Sequence, residues 1–356
     1  MWMRFVFILV LSLLFNSLLY AQLIKGKIIN SSSNQAVNGA HIRSLSNPNL
    51  GTISNEDGSF IFSAKQINDS ILVSHINYDP QIISLKNGVL IKMEPADNIL
   101  EEVVVKPLEV NKIMSKVFEN LEKNHDLGGV TYQFFYRNLN YAIDSNVNFV
   151  EEHQGLIHQN NRNSSKFKLE NSRVKAFSKK GKTELADYRL IRMGMIQFDN
   201  LFKNREDYLH HRKSKNYDYT LDDVLDFSRR RVFKISFKTD ETTYYKAGYL
   251  LIDKETYAVV RNVLDGGDYK EVNFTYNAGK WYLSHSYNYA KRKDYTSEAI
   301  TNYILSEESY DPSQFSSATL LMPEKIKKIV ANFDDDYWAI PNIIPLPGWV
   351  KRQIED

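Results

Sequence analysis

Apolar residues fall into two rhythms along this chain, and the changes between them mark its organisation. From Leu23 to Val105 they come in short runs separated at close intervals by Asn, Asp and Gly turns. The runs are Leu23 to Asn30, Val37 to Arg43, Gly51 to Phe62, Ile71 to Tyr78 and Val103 to Val105. Short β-rich runs joined in this way predict an antiparallel sandwich. Pro107 breaks the last of them. The period then lengthens: Val110, Ile113, Met114, Val117, Phe118 and Leu121 make one stripe, with Lys112, Lys116, Glu119 and Glu122 off it. That spacing predicts an amphipathic helix, halted by Gly128-Gly129.

From Val130 the alternation returns. Tyr132 to Arg137 and Phe149 to Ile157 read as strands, Asn160 to Ser165 as a polar turn, and Met193 to His211 as an irregular or helical stretch. A meander follows. Phe233, Ile235 and Phe237 alternate with Lys234, Ser236 and Lys238. Tyr249 to Asp253, a turn at Lys254-Glu255, and Tyr257 to Arg261 form a hairpin. Val272, Phe274 and Tyr276 share one face, Asn277 to Lys280 turns, and Trp281, Leu283, His285, Tyr287 and Tyr289 are expected on one face of the returning strand. Ile300 to Leu305 adds another strand. Near the C-terminus Ile326, Ile329, Val330 and Phe333 keep helical spacing behind Pro323. Trp338, Pro341, Pro345, Pro347 and Trp349 suit an extended tail docked along a surface. The fold class is therefore mostly β with a few helices (α+β). The expected boundaries are a sandwich at 22–106, a linking helix at 107–129, an antiparallel curved sheet or partial barrel at 130–310, and a helix with a Pro-rich, aromatic tail at 311–356.

Composition narrows the class. Residues 1–21 carry Arg4, an apolar run from Phe5 to Leu14 interrupted at Asn16 and Ser17, and an Ala21-Gln22 junction, the make-up of a secretion signal. The run is too short and broken for a membrane span, so none is expected once the signal is removed. The chain has no cysteine, so disulfides, a lipid-anchoring cysteine and thiol catalysis are all excluded. It is therefore expected to be exported to the periplasm or outer membrane without a lipid anchor. Lys plus Arg number 45 against 43 Asp plus Glu, a balance that argues against nucleic acid as a partner. Arg229-Arg230-Arg231 is the densest basic run; it reads as a solvated turn or strand edge, with an anionic partner as the alternative.

The first quarter of the mature chain carries a resemblance. Gly26 opening a strand, Val37-Asn-Gly-Ala40, Gly51-Thr52, Asp57-Gly-Ser-Phe60 and Ser74-His-Ile-Asn-Tyr78 resemble the carboxypeptidase-like regulatory domain of exported Bacteroidetes proteins. The resemblance implies a seven-stranded transthyretin-like sandwich and no catalysis, because that domain accompanies peptidases and TonB-dependent receptors. Asp97 to Lys106 is similar to the segment that leads into a receptor plug, yet the residues after it are too few for a receptor barrel. Gly248 to Ala258, the 111-onward helix and Phe135-Tyr-Arg137 with Glu151-Glu152 resemble the domain that follows the sandwich in a group of uncharacterised exported proteins. The Gly248 hairpin is also similar to strands of periplasmic lipoprotein carriers.

Chemistry is sparse. A zinc carboxypeptidase needs a His-x-x-Glu pair and a third ligand, and none of the eight histidines has Glu three residues on. No Gly-x-Ser-x-Gly elbow or phosphate loop occurs. Glu151-Glu152-His153 with His158 offers metal ligands, but the pattern favours an exposed strand edge. Asp334-Asp335-Asp336 lacks a calcium-loop spacing and reads as a solvated run. No catalytic residue, metal or cofactor is assigned. The candidate ligand-binding residues are Trp281, His285, Tyr287, Tyr289, Tyr249, Phe233 and Phe237, able to stack on sugar rings or line an apolar groove, with packing on the helix as the ordinary alternative. Three readings stay open: a non-catalytic cell-envelope binding or assembly module, whose partner is an envelope protein, a glycan or an apolar ligand; a periplasmic carrier of an apolar ligand or lipid; and an enzyme with dispersed carboxylates.

Overall fold

The computed structural model describes residues 22–47, 50–64, 70–96, 107–126, 129–159, 165–176, 207–210, 212–242, 246–306, 311–317 and 344–355. The expected signal, the Asp97 to Lys106 segment, the 323–333 helix, the three-aspartate run and nearly all of Met193 to His211 lie outside these residues.

Seven strands build the N-terminal body. β1 (Gln22–Asn30), β4 (Ser59–Ala64) and β7 (Val89–Met93) form one sheet in the order β4-β1-β7. β2 (His41–Ser44), β3 (Gly51–Ile53), β5 (Ser70–His75) and β6 (Tyr78–Ser84) form the other, in the order β3-β2-β5-β6. Ile24, Ile28, Phe60, Phe62, Ile71, Val73 and Met93 fill the space between them. The alternation read from the sequence works here because each strand has one face on that core. The Asp57-Gly-Ser turn is set by side chains: Asn55 Oδ1 and Asp57 Oδ1 both accept from the Ser59 amide. Gly58 sits at φ +79°, where a Cβ would run into the Ile28 carbonyl.

α1 (Pro107–Asn124) then leads into a single antiparallel sheet of eleven strands. In chain order these are β8 (Val130–Ala142), β9 (Val147–Gln159), β10 (Ser165–Ala176), β11 (Asp218–Phe227), β12 (Arg230–Lys238), β13 (Ala247–Asp253), β14 (Val259–Asp265), β15 (Tyr269–Asn277), β16 (Lys280–Lys291), β17 (Tyr295–Leu305) and β18 (Ser316–Ser317). The spatial order is β11-β12-β13-β14-β15-β16-β17-β8-β9-β10-β18, so the sheet does not close into a barrel. Val110, Met114 and Val117 of α1 pack on Phe274, Leu283 and Tyr303, which puts the predicted stripe on one sheet face. Among the described residues no helix is long and apolar enough to cross a membrane.

Four expectations change. The helix ends at Asn124, ahead of the glycine pair. Tyr257 is not in a strand; it sits at φ +60° in a turn held by Asp253 Oδ1, which accepts from the Thr256 amide, so β14 begins at Val259. The tail is docked but not wholly extended: Gly348–Glu355 is a helix, α2. Glu151, Glu152 and His153 are buried, not on an exposed edge, because β9 pairs with β8 on one side and β10 on the other.

The chain from Ile344 onward straps the two bodies together. Asn55 of the sandwich donates to the Pro345 carbonyl (3.1 Å), and Arg137 of β8 donates to Pro345 (3.1 Å) and Ile344. Trp349 Nε1 donates to Glu56 at 3.0 Å, and Val350 and Ile354 pack on Leu139 and Val150.

Candidate functional site

Where the β2-β3-β5 side of the sandwich meets the large sheet there is a cavity of about 200 Å³. His41, Arg43 and Thr52 border it from the sandwich, and Arg230, Thr275, Trp281 and His285 from the sheet. Apolar side chains complete the wall, among them Leu72, Phe227, Val232, Phe274 and Leu283.

Local sequence places these groups. β11 and β12 are joined by a two-residue loop, Ser228-Arg229, with both residues at positive φ (50° and 64°). This is the turn whose twist suits an antiparallel hairpin. Its Ser228 hydroxyl lies 2.9 Å from that of Ser74, which docks the hairpin on the sandwich. The strand leaving the turn carries Arg230 inward, over the rings of Tyr276 (4.5 Å) and Trp281 (5.1 Å), where it pairs with Asp253 at 3.0 Å. The arginine triplet is thus a turn in which Arg229 and Arg231 are exposed and Arg230 is turned in. Neither turn residue is the Asn-Gly pair this geometry favours. Replacing Arg229 alone by Gly, which keeps the Ser228–Ser74 contact, is expected to stabilise the fold by up to about 1 kcal/mol; an unchanged or lower urea midpoint would refute that.

On the sandwich side Arg43 donates to Thr275 Oγ1 at 2.7 Å. Its guanidinium has no carboxylate partner among the described residues, and burial together with the nearby Arg230 charge holds its pKa below the usual arginine range. His41 and His285 meet edge-on at 5.9 Å. Burial pushes the imidazole of His41 down to about 3 and that of His285 to about 4, so both are neutral at physiological pH. Beside them Glu271 accepts from Arg261 (2.6 Å), Tyr269 (2.8 Å) and Asn273 (2.6 Å). Burial raises that carboxyl, but Arg261 and the hydrogen bonds outweigh it and hold Glu271 at about 2. Four buried atoms of the cavity-lining residues have no hydrogen-bond partner among the described residues: His41 Nε2, Thr52 Oγ1, Trp281 Nε1 and His285 Nδ1. Among the described residues no group of three or more His, Asp or Glu is placed to hold a metal ion.

Two of the seven candidate residues, Trp281 and His285, border this cavity. The single aromatic face expected along β16 is split by a bulge. The register steps from Asn273↔His285 to Phe274↔Leu283, leaving Ser284 as an extra residue. Leu283 therefore shares the face of Phe274, while His285, Tyr287 and Tyr289 share the opposite face, and at the bulge the cavity is lined by residues of both faces. Tyr287 hydrogen-bonds Glu298, which also accepts from Tyr141. Tyr289 lies in the same strand, paired with Glu298 across β17. Tyr249 packs under Lys234 (5.1 Å), Phe233 stacks on Tyr257 (6.5 Å), and Phe237 stacks on Tyr208 (4.1 Å) inside the main core. Arg43 and Thr275 carried no signal in the sequence, since their chemistry arises only when two separately folded bodies meet; Arg230 stood in the triplet read as a solvated turn with an anionic partner as the alternative, and Thr52 only in the Gly51-Thr52 motif.

Residues 24–105 match the family model of the CarboxypepD_reg-like domain, and the sandwich is such a domain. No curated protein matches the chain. Among solved structures, a DUF1329 family protein from Desulfovibrio piger is 14% identical with a TM-score of 0.30, over 58% of this chain and 95% of that one. A putative outer membrane lipoprotein-sorting protein domain from Vibrio parahaemolyticus is 14% identical with a TM-score of 0.27, over 62% of this chain and 97% of that one. MucB in complex with MucA from Pseudomonas aeruginosa is 8% identical with a TM-score of 0.19, over 56% and 94%.

Proposed function

We propose that the chain is a non-catalytic cell-envelope binding module, and that its ligand occupies the cavity between the sandwich and the large sheet. The observation that carries this reading is the set of four buried polar atoms, unpartnered among the described residues, on residues lining one cavity. Each such atom costs about 1–3 kcal/mol when left without a partner, and a ligand supplying the partners would recover that cost. The apolar N-terminal run supports placing the protein outside the cytoplasm.

The apolar-carrier reading draws less support. Among the described residues, Val110, Met114 and Val117 of α1 and Tyr208 and Leu209 pack into the main core with the large sheet rather than leaving a groove there. The enzyme reading has one local argument, the Glu271, His41 and His285 group. Against it, Glu271 already accepts three hydrogen bonds and both imidazoles hold protons poorly, so no group there is poised near neutral pH.

Native mass spectrometry of protein gently extracted from its producing cells tests the proposal. The wild type is expected to carry a bound mass, and Ser284→Trp, which projects an indole from the cavity wall, to lose it. Recovery of ligand-free wild type in repeated preparations would count against the cavity. Turnover on peptide or glycan panels, abolished by His285→Gln, would overturn the non-catalytic part.

A further inference from the structure

The electrostatics of the cavity narrow what it can hold, on the premise that it is the ligand site. Arg43 and Arg230 both border it. Arg230 has a carboxylate partner in Asp253 at 3.0 Å, so its charge is balanced. Among the described residues Arg43 has the hydroxyl of Thr275, at 2.7 Å, and no carboxylate. Its neighbours His41 and His285 are neutral, and Glu271 is taken up by Arg261. Among the described residues the cavity therefore carries one positive charge without an acidic partner.

A guanidinium withdrawn from water without an acidic partner is unfavourable, and its planar fork matches a carboxylate in two parallel hydrogen bonds. One net charge suits a monoanion better than a dianionic phosphate. The remainder of the wall is apolar and aromatic: Phe227, Val232, Phe274, Leu283 and Trp281. A volume of about 200 Å³ holds a body of roughly ten non-hydrogen atoms.

We infer that the cavity binds a small organic carboxylate with an apolar or aromatic body, its carboxylate held by Arg43. Arg43 and Thr275 would set the carboxylate in place, and Leu45, exposed at the rim, would border its entry.

Calorimetric titration with octanoate, phenylacetate, octanamide and phenyl phosphate tests this on the full chain, wild type and Arg43→Met. Octanoate or phenylacetate should bind the wild type at least tenfold more tightly than octanamide or phenyl phosphate. Arg43→Met should lose that preference while its unliganded Tm stays level or rises, because the substitution removes a buried charge with no acidic partner among the described residues. Arg43→Lys, which keeps the charge without the fork, should recover part of the affinity. A purely structural Arg43 would instead lower the Tm on substitution and leave probe binding unchanged, and that result overturns the inference. Equal affinity for octanoate and octanamide, both lost in Ser284→Trp, would leave the cavity standing as the ligand site and refute the carboxylate. Tighter binding of phenyl phosphate would refute the charge argument. No binding of any probe to wild type or Arg43→Met would overturn the carboxylate inference, and if the native preparations were also ligand-free the cavity reading would fall with it.

Discussion

Between pH 7 and pH 5 the fold should lose about 5 kcal/mol, and it should unfold between about pH 4 and pH 5. The cause is four imidazoles buried without charge. Burial lowers His41 and His125 to about 3 and His75 and His285 to about 4, with His285 adding to the shift at His41. Each takes up a proton near pH 6.5 only in the unfolded chain. Above pH 6.5 they contribute nothing to the pH dependence; as the pH falls below it, protonation favours the unfolded state until the folded values of about 3 to 4 are reached. Four such groups give a slope of about 5 kcal/mol per pH unit. Glu298 works in the opposite sense. Burial, and then its hydrogen bond to Glu56, raises it to about 7, so the folded chain takes up a proton between pH 7 and about 4.5 that the unfolded chain does not. That recovers about 2–3 kcal/mol, less than the histidines remove. Glu271, held at about 2, adds a further loss only below about pH 4.5. Urea midpoints followed by circular dichroism from pH 7.5 to 4.5 would measure the slope. His125 packs edge-on against Phe274 at 5.0 Å and forms a β-bridge to Trp281, so it lies behind the cavity wall without lining the cavity itself. His125→Phe should remove about a quarter of the slope. A flat profile across this range would show that these imidazoles are hydrated or paired in the folded protein.

The sandwich was legible because its information is local. Each strand alternates against one core, and Asn55, Asp57 and Gly58 specify their own turn within a few residues. The meander from β12 to β16 was legible for the same reason, up to the point where a single extra residue intervenes. Ser284 has nothing in its type to announce a bulge, yet it moves His285, Tyr287 and Tyr289 to the face opposite Leu283. The cavity was illegible for a different reason. Arg43 stands in β2 and Thr275 lies 232 residues further on, so a pattern read strand by strand assigns both to solvent-facing positions. The Glu151-Glu152-His153 run misled because charged residues are almost never fully buried unless they are paired, and the partners come from the neighbouring strands.

Those partners make Glu152 the position where a one-atom change should do the most damage. Glu152 has no exposed surface and sits on β9 directly opposite Arg137 of β8 and Arg173 of β10. Arg137 Nε donates to Oε1 at 2.6 Å and Arg173 Nε donates to Oε2. Burial alone would raise this carboxyl, but the two guanidinium groups outweigh it and hold it below the usual range, so it stays ionised. Arg137 also donates to the Ile344 and Pro345 carbonyls, which ties the ion cluster to the strap. Glu152→Gln keeps the shape and removes the charge. Two facing guanidinium groups are then left in a buried site, a loss of about 3–5 kcal/mol. Stability should fall by that amount in urea titrations, and Arg137, no longer oriented by the carboxylate, should release the strap. Limited proteolysis would then clip the chain near residue 344 faster than in the wild type. Replacing all three by apolar residues (Arg137→Met, Glu152→Leu, Arg173→Met) should restore most of the midpoint, since the desolvation penalty leaves with the charges. The strap should nevertheless remain looser in that triple variant, because the Ile344 carbonyl has lost its donor and Pro345 keeps only Asn55. If Glu152→Gln costs under about 1 kcal/mol, the triad is solvated and contributes as little as a surface ion pair.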